Sequence, residues 1–118
     1  MKTIKKLLLG TILAATASSM ALSAQDLTAD VSKASKLAKD YAHIAGSALF
    51  CRFEQDAVEE FIVRAQTKIN QAAKDREGKI IAKMDFTNSM IVASTREPKE
   101  GCDKFKETFR LMSRAIEK

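Results

Sequence analysis

The sequence predicts an all-α protein, a small antiparallel four-helix bundle closed by one disulfide. Three observations indicate this fold class. Apolar residues recur at steps of three and four, which is the spacing of one face of a helix. Beyond residue 24 the chain has one proline, three glycines and no alternating strand pattern. Its two cysteines, Cys51 and Cys102, stand where the first predicted helix ends and where the last one begins.

The first 24 residues are predicted to be a cleaved secretory signal peptide. Residues 1–6 carry three lysines and no acid, and a short apolar run and small residues follow, as in such signals. Cleavage is expected after Ala24, with Ala21 as the alternative. An uncleaved anchor is the competing interpretation, but the run falls short of the roughly 20 apolar residues that span a bilayer. We therefore expect one periplasmic or secreted domain over residues 25–118, with no integral membrane segment.

The charge of the chain gives no reason to expect nucleic acid as a partner. The net charge is +5, from 20 basic and 15 acidic residues. Three lysines and no acids fall within the predicted signal, so the remainder carries 17 basic and 15 acidic residues, a balance of +2. Such a small surplus does not indicate nucleic-acid or anionic-membrane binding.

The first predicted helix has a face rich in alanine. Its stripe consists of Leu27, Val31, Ala34, Ala38, Tyr41, Ala45 and Ala48. Small side chains let neighbouring helices approach closely, although they bury little volume. Gly46 weakens a helix by roughly 1 kcal/mol relative to alanine, so a bend is expected there.

The second predicted helix starts at a capping box formed by Asp56 and Glu59. Its apolar stripe is Val58, Phe61, Ile62, Ala65, Ile69, Ala72 and Ala73, and its solvated side carries Glu60, Arg64 and Lys68. The polar residues 75–78 separate this helix from the third, with Gly78 as the turn residue. One unbroken helix over residues 56–94 is the alternative.

The third predicted helix is apolar over too wide an arc for a single stripe. Its apolar residues are Ile80, Ile81, Met84, Phe86, Met90, Ile91 and Val92. The favoured interpretation is the most buried helix of the bundle. The alternative is a helix that presents a surplus apolar face to a partner.

The fourth predicted helix follows a loop over residues 96–101, where Pro98 and Gly101 disfavour helix. Its stripe is Cys102, Phe105, Phe109, Met112 and Ile116. An alternating bundle places the end of its first helix and the start of its fourth at the same end, so Cys51 and Cys102 can form a disulfide. Their wide separation in sequence favours a structural bond over a redox-active one.

No combination of residues indicates catalysis, a metal or a cofactor, so we expect a protein that is not an enzyme. His43 shares the polar side of the first helix with Lys36, Lys39 and Ser47. It is therefore predicted to be a surface residue, with a ligand or pH-sensing role as the alternative. The methionines at 84, 90 and 112 are expected to fill the core rather than to ligate haem.

In layout the chain resembles the acid-stress periplasmic chaperones of the HdeA type: a signal, about 90 further residues, helices only and one long-range disulfide. The resemblance implies a chaperone-like protein that binds other proteins, and a homodimer is a further alternative. A second hypothesis is an inhibitor or immunity protein that neutralises an envelope-acting enzyme or toxin. Its surface would combine the loop over residues 96–101 with a basic row of Lys106, Arg110 and Arg114. Because acids are interleaved with that row, a solvated face is its favoured interpretation, and a patch for an acidic partner is the alternative.

Overall fold

The computed structural model describes residues 33–118 of the chain, and four helices make up most of this part. They are α1, described over residues 33–50, α2 (Gln55–Ala72), α3 (Arg76–Ala93) and α4 (Cys102–Glu117). No strand occurs within these residues, and the all-α prediction is confirmed. The predicted signal peptide, its cleavage sites and the expected first turns of the first helix lie outside the described residues.

The helices alternate in direction, as the bundle prediction requires. α1 and α3 run the same way, because Ser35 donates a hydrogen bond to Asp85 and Gly46 lies further along against Met90 and Ala93. α2 runs against α3, since Ala73 at the end of α2 lies beside Gly78 at the start of α3. α2 packs on both α3 and α4, whereas α3 and α4 do not pack on each other.

The core is made of alanine on α1, of mostly larger side chains on α2 and α4, and of two residues of α3. The buried members are Ala34, Ala38, Ala42, Ala45, Ala48, Val58, Phe61, Ala65, Ile69, Ala73, Ala82, Phe86, Phe105, Phe109 and Ile116. The predicted stripes of α1, α2 and α4 are therefore confirmed over the described residues. On the solvated side of α2, Arg64 pairs with Glu60 at 2.9 Å.

The predicted disulfide joins Cys51 and Cys102, whose Cα atoms are 5.6 Å apart. It links the end of α1 to the first residue of α4, and no free cysteine remains. Phe53 follows this corner and stacks on Phe105, with ring centroids 5.8 Å apart. A covalent bond and an aromatic contact thus hold the same end of the bundle.

Two predicted helix starts differ from the structure. α2 begins after Glu54, whose side chain makes no capping hydrogen bond, so the capping box at Asp56 is wrong. α2 and α3 are separate, but the break lies at residues 73–75. Asp75 caps α3 by accepting a 2.7 Å hydrogen bond from the Gly78 amide, which places Gly78 in the first turn of the helix. An acid competes well for a helix start, because its carboxylate satisfies an otherwise unpaired N–H.

The loop between α3 and α4 is confirmed, with Pro98 buried and Gly101 immediately before α4. Gly101 has a φ of 84°. This is the left-handed region, where side chains with a Cβ are disfavoured.

Gly46 lies inside an uninterrupted α1, and its role is close contact with α3. A Cβ atom built on Gly46 would lie 2.5 Å from both the Ala93 Cβ and the Met90 carbonyl oxygen. Because one of these atoms belongs to the backbone, the two helices would have to move apart to admit a methyl group.

We therefore expect Gly46→Ala to destabilise the protein by about 1–3 kcal/mol, the usual cost of overpacking. Helix propensity alone predicts the opposite sign, a gain of about 1 kcal/mol. Urea unfolding followed by circular dichroism measures the difference. An increased stability of the variant would show that α1 and α3 separate at little cost.

Candidate binding surface

The outer side of α3 exposes five large apolar side chains, which we call the α3 apolar face. Their exposed fractions are Ile80 51%, Ile81 41%, Met84 59%, Ile91 56% and Val92 52%. Ile80, Met84 and Ile91 recur at steps of four and seven, so they share one side of the helix. The favoured prediction that this helix is the most buried one is wrong, as is the placement of Met84 in the core.

The inner side of α3 explains why these side chains point outward. Its buried residues are Gly78, Ala82, Phe86 and Ala93, also at helical steps. Three of the four are small, so α3 lies close to its neighbours and uses little apolar surface to do so. Since α4 does not pack on α3, no other helix of the described chain covers the outer side. An apolar face of this kind is typical of an interaction surface.

A basic flank runs along one edge of the α3 apolar face. Arg76, Lys79 and Lys83 are exposed and follow one another at steps of three and four, so they are neighbours on the helix. Lys83 also lines a depression of about 300 Å³ together with Ile80 and Met84. The stems of such long side chains can cover apolar surface while their charges stay in water.

A second feature, the α1/α3 groove, has a volume of about 460 Å³. From α1 it is lined by Lys39, His43 and Ser47, four residues apart and therefore on one side of the helix. His43 is exposed, which confirms its placement at the surface. Ser47 was expected on the same polar side but is only 1% exposed, because α3 comes close at the adjacent Gly46.

The other wall of this groove comes from the end of α3 and the following loop. Asn88, Ser89, Val92 and Ala93 line it from α3, and Arg96, Glu97, Pro98 and Lys99 from the loop. Three exposed cations, at positions 39, 96 and 99, therefore face this space with one acid. Within residues 33–118 none of these three cations forms an ion pair.

The Ser47 hydroxyl is the one polar group in the groove that stands out by its burial. Its Oγ atom is buried and has no hydrogen-bond partner among the described residues. An unpaired buried hydroxyl costs about 1–3 kcal/mol. The atom is closed to solvent, so the groove would have to open for a bound group to reach it.

The α1/α3 groove and the α3 apolar face adjoin each other. Asn88 lines both the groove and the depression around Ile80 and Met84. Val92 belongs to the face and also lines the groove. An apolar surface thus continues into a basic, polar one along the same helix.

A third space, the α2/α4 groove, has a volume of about 820 Å³. It holds the predicted basic row of Lys106, Arg110 and Arg114, with Phe53 and Phe109 between α2 and α4. Glu107 partly neutralises the row, because its carboxylate accepts hydrogen bonds from Arg110. These bonds lower the pKa of Glu107 below its ordinary value and raise the pKa of Arg110. This row and the loop over residues 96–101 therefore line two different grooves.

The described residues were also compared with the requirements of a metal site and of a membrane-spanning helix. No cluster of three or more histidine, cysteine or acidic side chains suited to a metal ion occurs in residues 33–118. No helix in this part is long and apolar enough to cross a membrane. Cys51 and Cys102, the predicted site residues, are brought together only as the disulfide.

The polar groove was not predicted, although part of its signal was visible. The four-residue steps of Lys39, His43 and Ser47 place them on one side of α1, but nothing in their spacing indicates which helix lies opposite.

Comparison of the chain with protein-family models, with curated proteins and with solved structures finds no match.

Proposed function

We propose that this chain is an exported, non-enzymatic binding protein of the bacterial envelope that holds apolar segments of other proteins in a chaperone-like manner. The α3 apolar face carries this proposal, because five large apolar side chains are exposed on one helix. The disulfide supports an oxidising compartment such as the periplasm, in agreement with the predicted signal.

The composition of the face suits partners of more than one shape. Met84 is its most exposed member, and an unbranched thioether adapts to different neighbours. Isoleucine and valine supply the remaining area, and each side chain that is fully buried contributes about 1.5–3 kcal/mol. The rest of the bundle keeps this face in place while the partner varies.

The test is suppression of aggregation of unrelated denatured proteins, measured by light scattering at neutral and at acid pH. We expect Met84→Gln/Ile91→Gln to weaken suppression about tenfold or more, since two half-exposed side chains lose their apolar contact with the client. The folding stability of this double variant should change by no more than about 0.5 kcal/mol for each substitution.

The matched control is Val63→Gln/Leu111→Gln. These residues are 63% and 53% exposed on α2 and α4, against 59% and 56% for Met84 and Ile91. The control should suppress aggregation as the unaltered protein does. A protein without suppression at either pH, or equal activity of both variants, would refute the proposal. A stable dimer dissociated by the α3 variant would instead show that the face joins two copies.

The α2/α4 groove favours a second candidate, an inhibitor or immunity protein with a single partner. A concave space that combines two phenylalanines with a charged rim resembles the apolar centre and polar rim of a specific interface. This candidate requires one stoichiometric partner from envelope extract. Its binding should be lost in Lys106→Glu/Arg114→Glu and kept in Met84→Gln/Ile91→Gln.

A further inference from the structure

We propose that the α1/α3 groove binds carboxylate groups of the client, so that the surface selects acidic amphipathic segments. The inference rests on the proposed function, since it assigns a preference to the surface that begins at the α3 apolar face. It names the partner as a polypeptide with apolar side chains along one side and aspartate or glutamate beside them.

The charges of the groove match such a partner. Lys39, Arg96 and Lys99 line it with Glu97 as the one acid, and no ion pair within residues 33–118 neutralises these three cations. A carboxylate entering the groove therefore meets cations that have no ion-pair partner within residues 33–118. Arginine is suited to this role, because its planar guanidinium donates two parallel hydrogen bonds to a carboxylate.

The neutral side chains of the groove match it as well. Asn88 and Ser89 line the α3 wall of the groove. Hydroxyl and amide groups donate hydrogen bonds, and an ionised carboxylate only accepts them. The groove thus combines charge with donors.

The distance along α3 between Met84 and the groove sets the spacing between apolar side chains and carboxylates in the client. Met84 lies twelve positions before Arg96 in the chain. Within α3, Val92 is eight positions after Met84, which corresponds to a rise of about 12 Å along the helix. A helical client laid along α3 therefore places its carboxylates about two turns beyond the side chains that contact Met84, and next to those that contact Ile91 and Val92.

An anionic bilayer surface offers similar chemistry but fits the shape less well. Lipid headgroups form a broad layer that meets cations on a protruding surface. Here the cations face a groove between two helices, next to a serine that is 1% exposed. A segment that enters the groove fits this shape better than a flat membrane.

Two synthetic peptides of about 16 residues test the inference. Both carry the same leucines at helical spacing; two turns beyond the leucines, one peptide has glutamates and the other has lysines. Fluorescence anisotropy with the full folded protein should show the glutamate peptide binding about tenfold more tightly or better. Raising the salt from about 0.05 M to about 0.5 M should reduce this preference, because exposed charges are screened.

The variant Arg96→Gln/Lys99→Gln should reduce the preference to about threefold or less. The control Lys104→Gln/Lys118→Gln removes the same charge from two exposed positions that line neither groove nor the depression around Ile80 and Met84. It should keep the preference. Met84→Gln/Ile91→Gln should weaken the binding of both peptides to the same extent, because both peptides contain the same leucines.

Failure of this inference differs from failure of the proposed function. Equal binding of the two peptides, or no binding of either by a protein that suppresses aggregation, overturns the carboxylate assignment and leaves the binding function in place. Absence of aggregation suppression overturns the proposed function itself. Binding to vesicles that contain phosphatidylglycerol is measured as well. If Arg96→Gln/Lys99→Gln abolishes vesicle binding, and the unaltered protein binds the two peptides equally, the groove recognises a bilayer and the inference is wrong.

Discussion

Removal of the disulfide, in the variant Cys51→Ala/Cys102→Ala, is expected to destabilise the protein by about 4 kcal/mol. The bond joins residues that are 51 positions apart, so it restricts the unfolded chain over more than half of the described residues. For a domain of this size the midpoint of thermal unfolding should fall by about 20 °C. Typical domains are stable by only about 5–15 kcal/mol, so a large share of the stability depends on this one bond.

The control for this experiment is chemical reduction. A thiol reductant should lower the unfolding midpoint of the unaltered protein to near that of the double variant, and it should leave the double variant unchanged. Both proteins are compared by urea unfolding and circular dichroism. Equal midpoints in the absence of reductant would show that packing at this corner, including Phe53 on Phe105, suffices without the covalent bond.

The part of the fold that could be predicted from the sequence is the part in which burial follows side-chain size. On α2 and α4 the large apolar residues recur at helical steps and are the ones buried, as at Phe61 and Phe105. The pairing of Cys51 with Cys102 followed from the presence of two cysteines in a predicted exported chain, and the alternating topology agreed with it. These inferences depend on periodicity and connection length, which are local properties of the chain.

The buried side of α3 could not be predicted from the spacing of its large residues. Its large residues were expected inside, but its buried side consists mostly of Gly78, Ala82 and Ala93. The spacing of large residues defines the sides of a helix and does not decide which side faces the core. That choice depends on how closely α1 can approach, and the close contact at Gly46 favours small residues on both helices.

The candidate binding surface could be predicted only in part, for a related reason. A surplus apolar face on the third helix, presented to a partner, was one of two interpretations. The structure shows that face exposed, and the partner stays a prediction. The α1/α3 groove depends on two helices that are distant in sequence, and on a loop that places Arg96 and Lys99 beside Lys39. The basic row on α4 and the loop were expected to form one surface. They do not, because α3 and α4 do not pack together.

Phe61→Ala is expected to destabilise the protein by about 3–5 kcal/mol, as is usual for removal of a buried aromatic ring. Phe61 is 1% exposed and contacts rings on two other helices. Its centroid lies 6.1 Å from that of Tyr41 on α1, nearly perpendicular to it, and 5.5 Å from that of Phe109 on α4. The cavity would therefore open where α1, α2 and α4 meet. Urea unfolding measures the loss.

Val63→Ala is the matched control, two residues further along the same helix. Val63 is 63% exposed, so its truncation should change the stability by about 0.5 kcal/mol or less. Similar losses in both variants would contradict the assignment of Phe61 to the centre of the core. Because the aromatic ring pairs of Phe61 are with Tyr41 on α1 and Phe109 on α4, Phe61→Ala should bind the glutamate peptide normally at temperatures where it is fully folded. Weak binding by the folded variant would mean that the α3 apolar face depends on the packing of the other three helices.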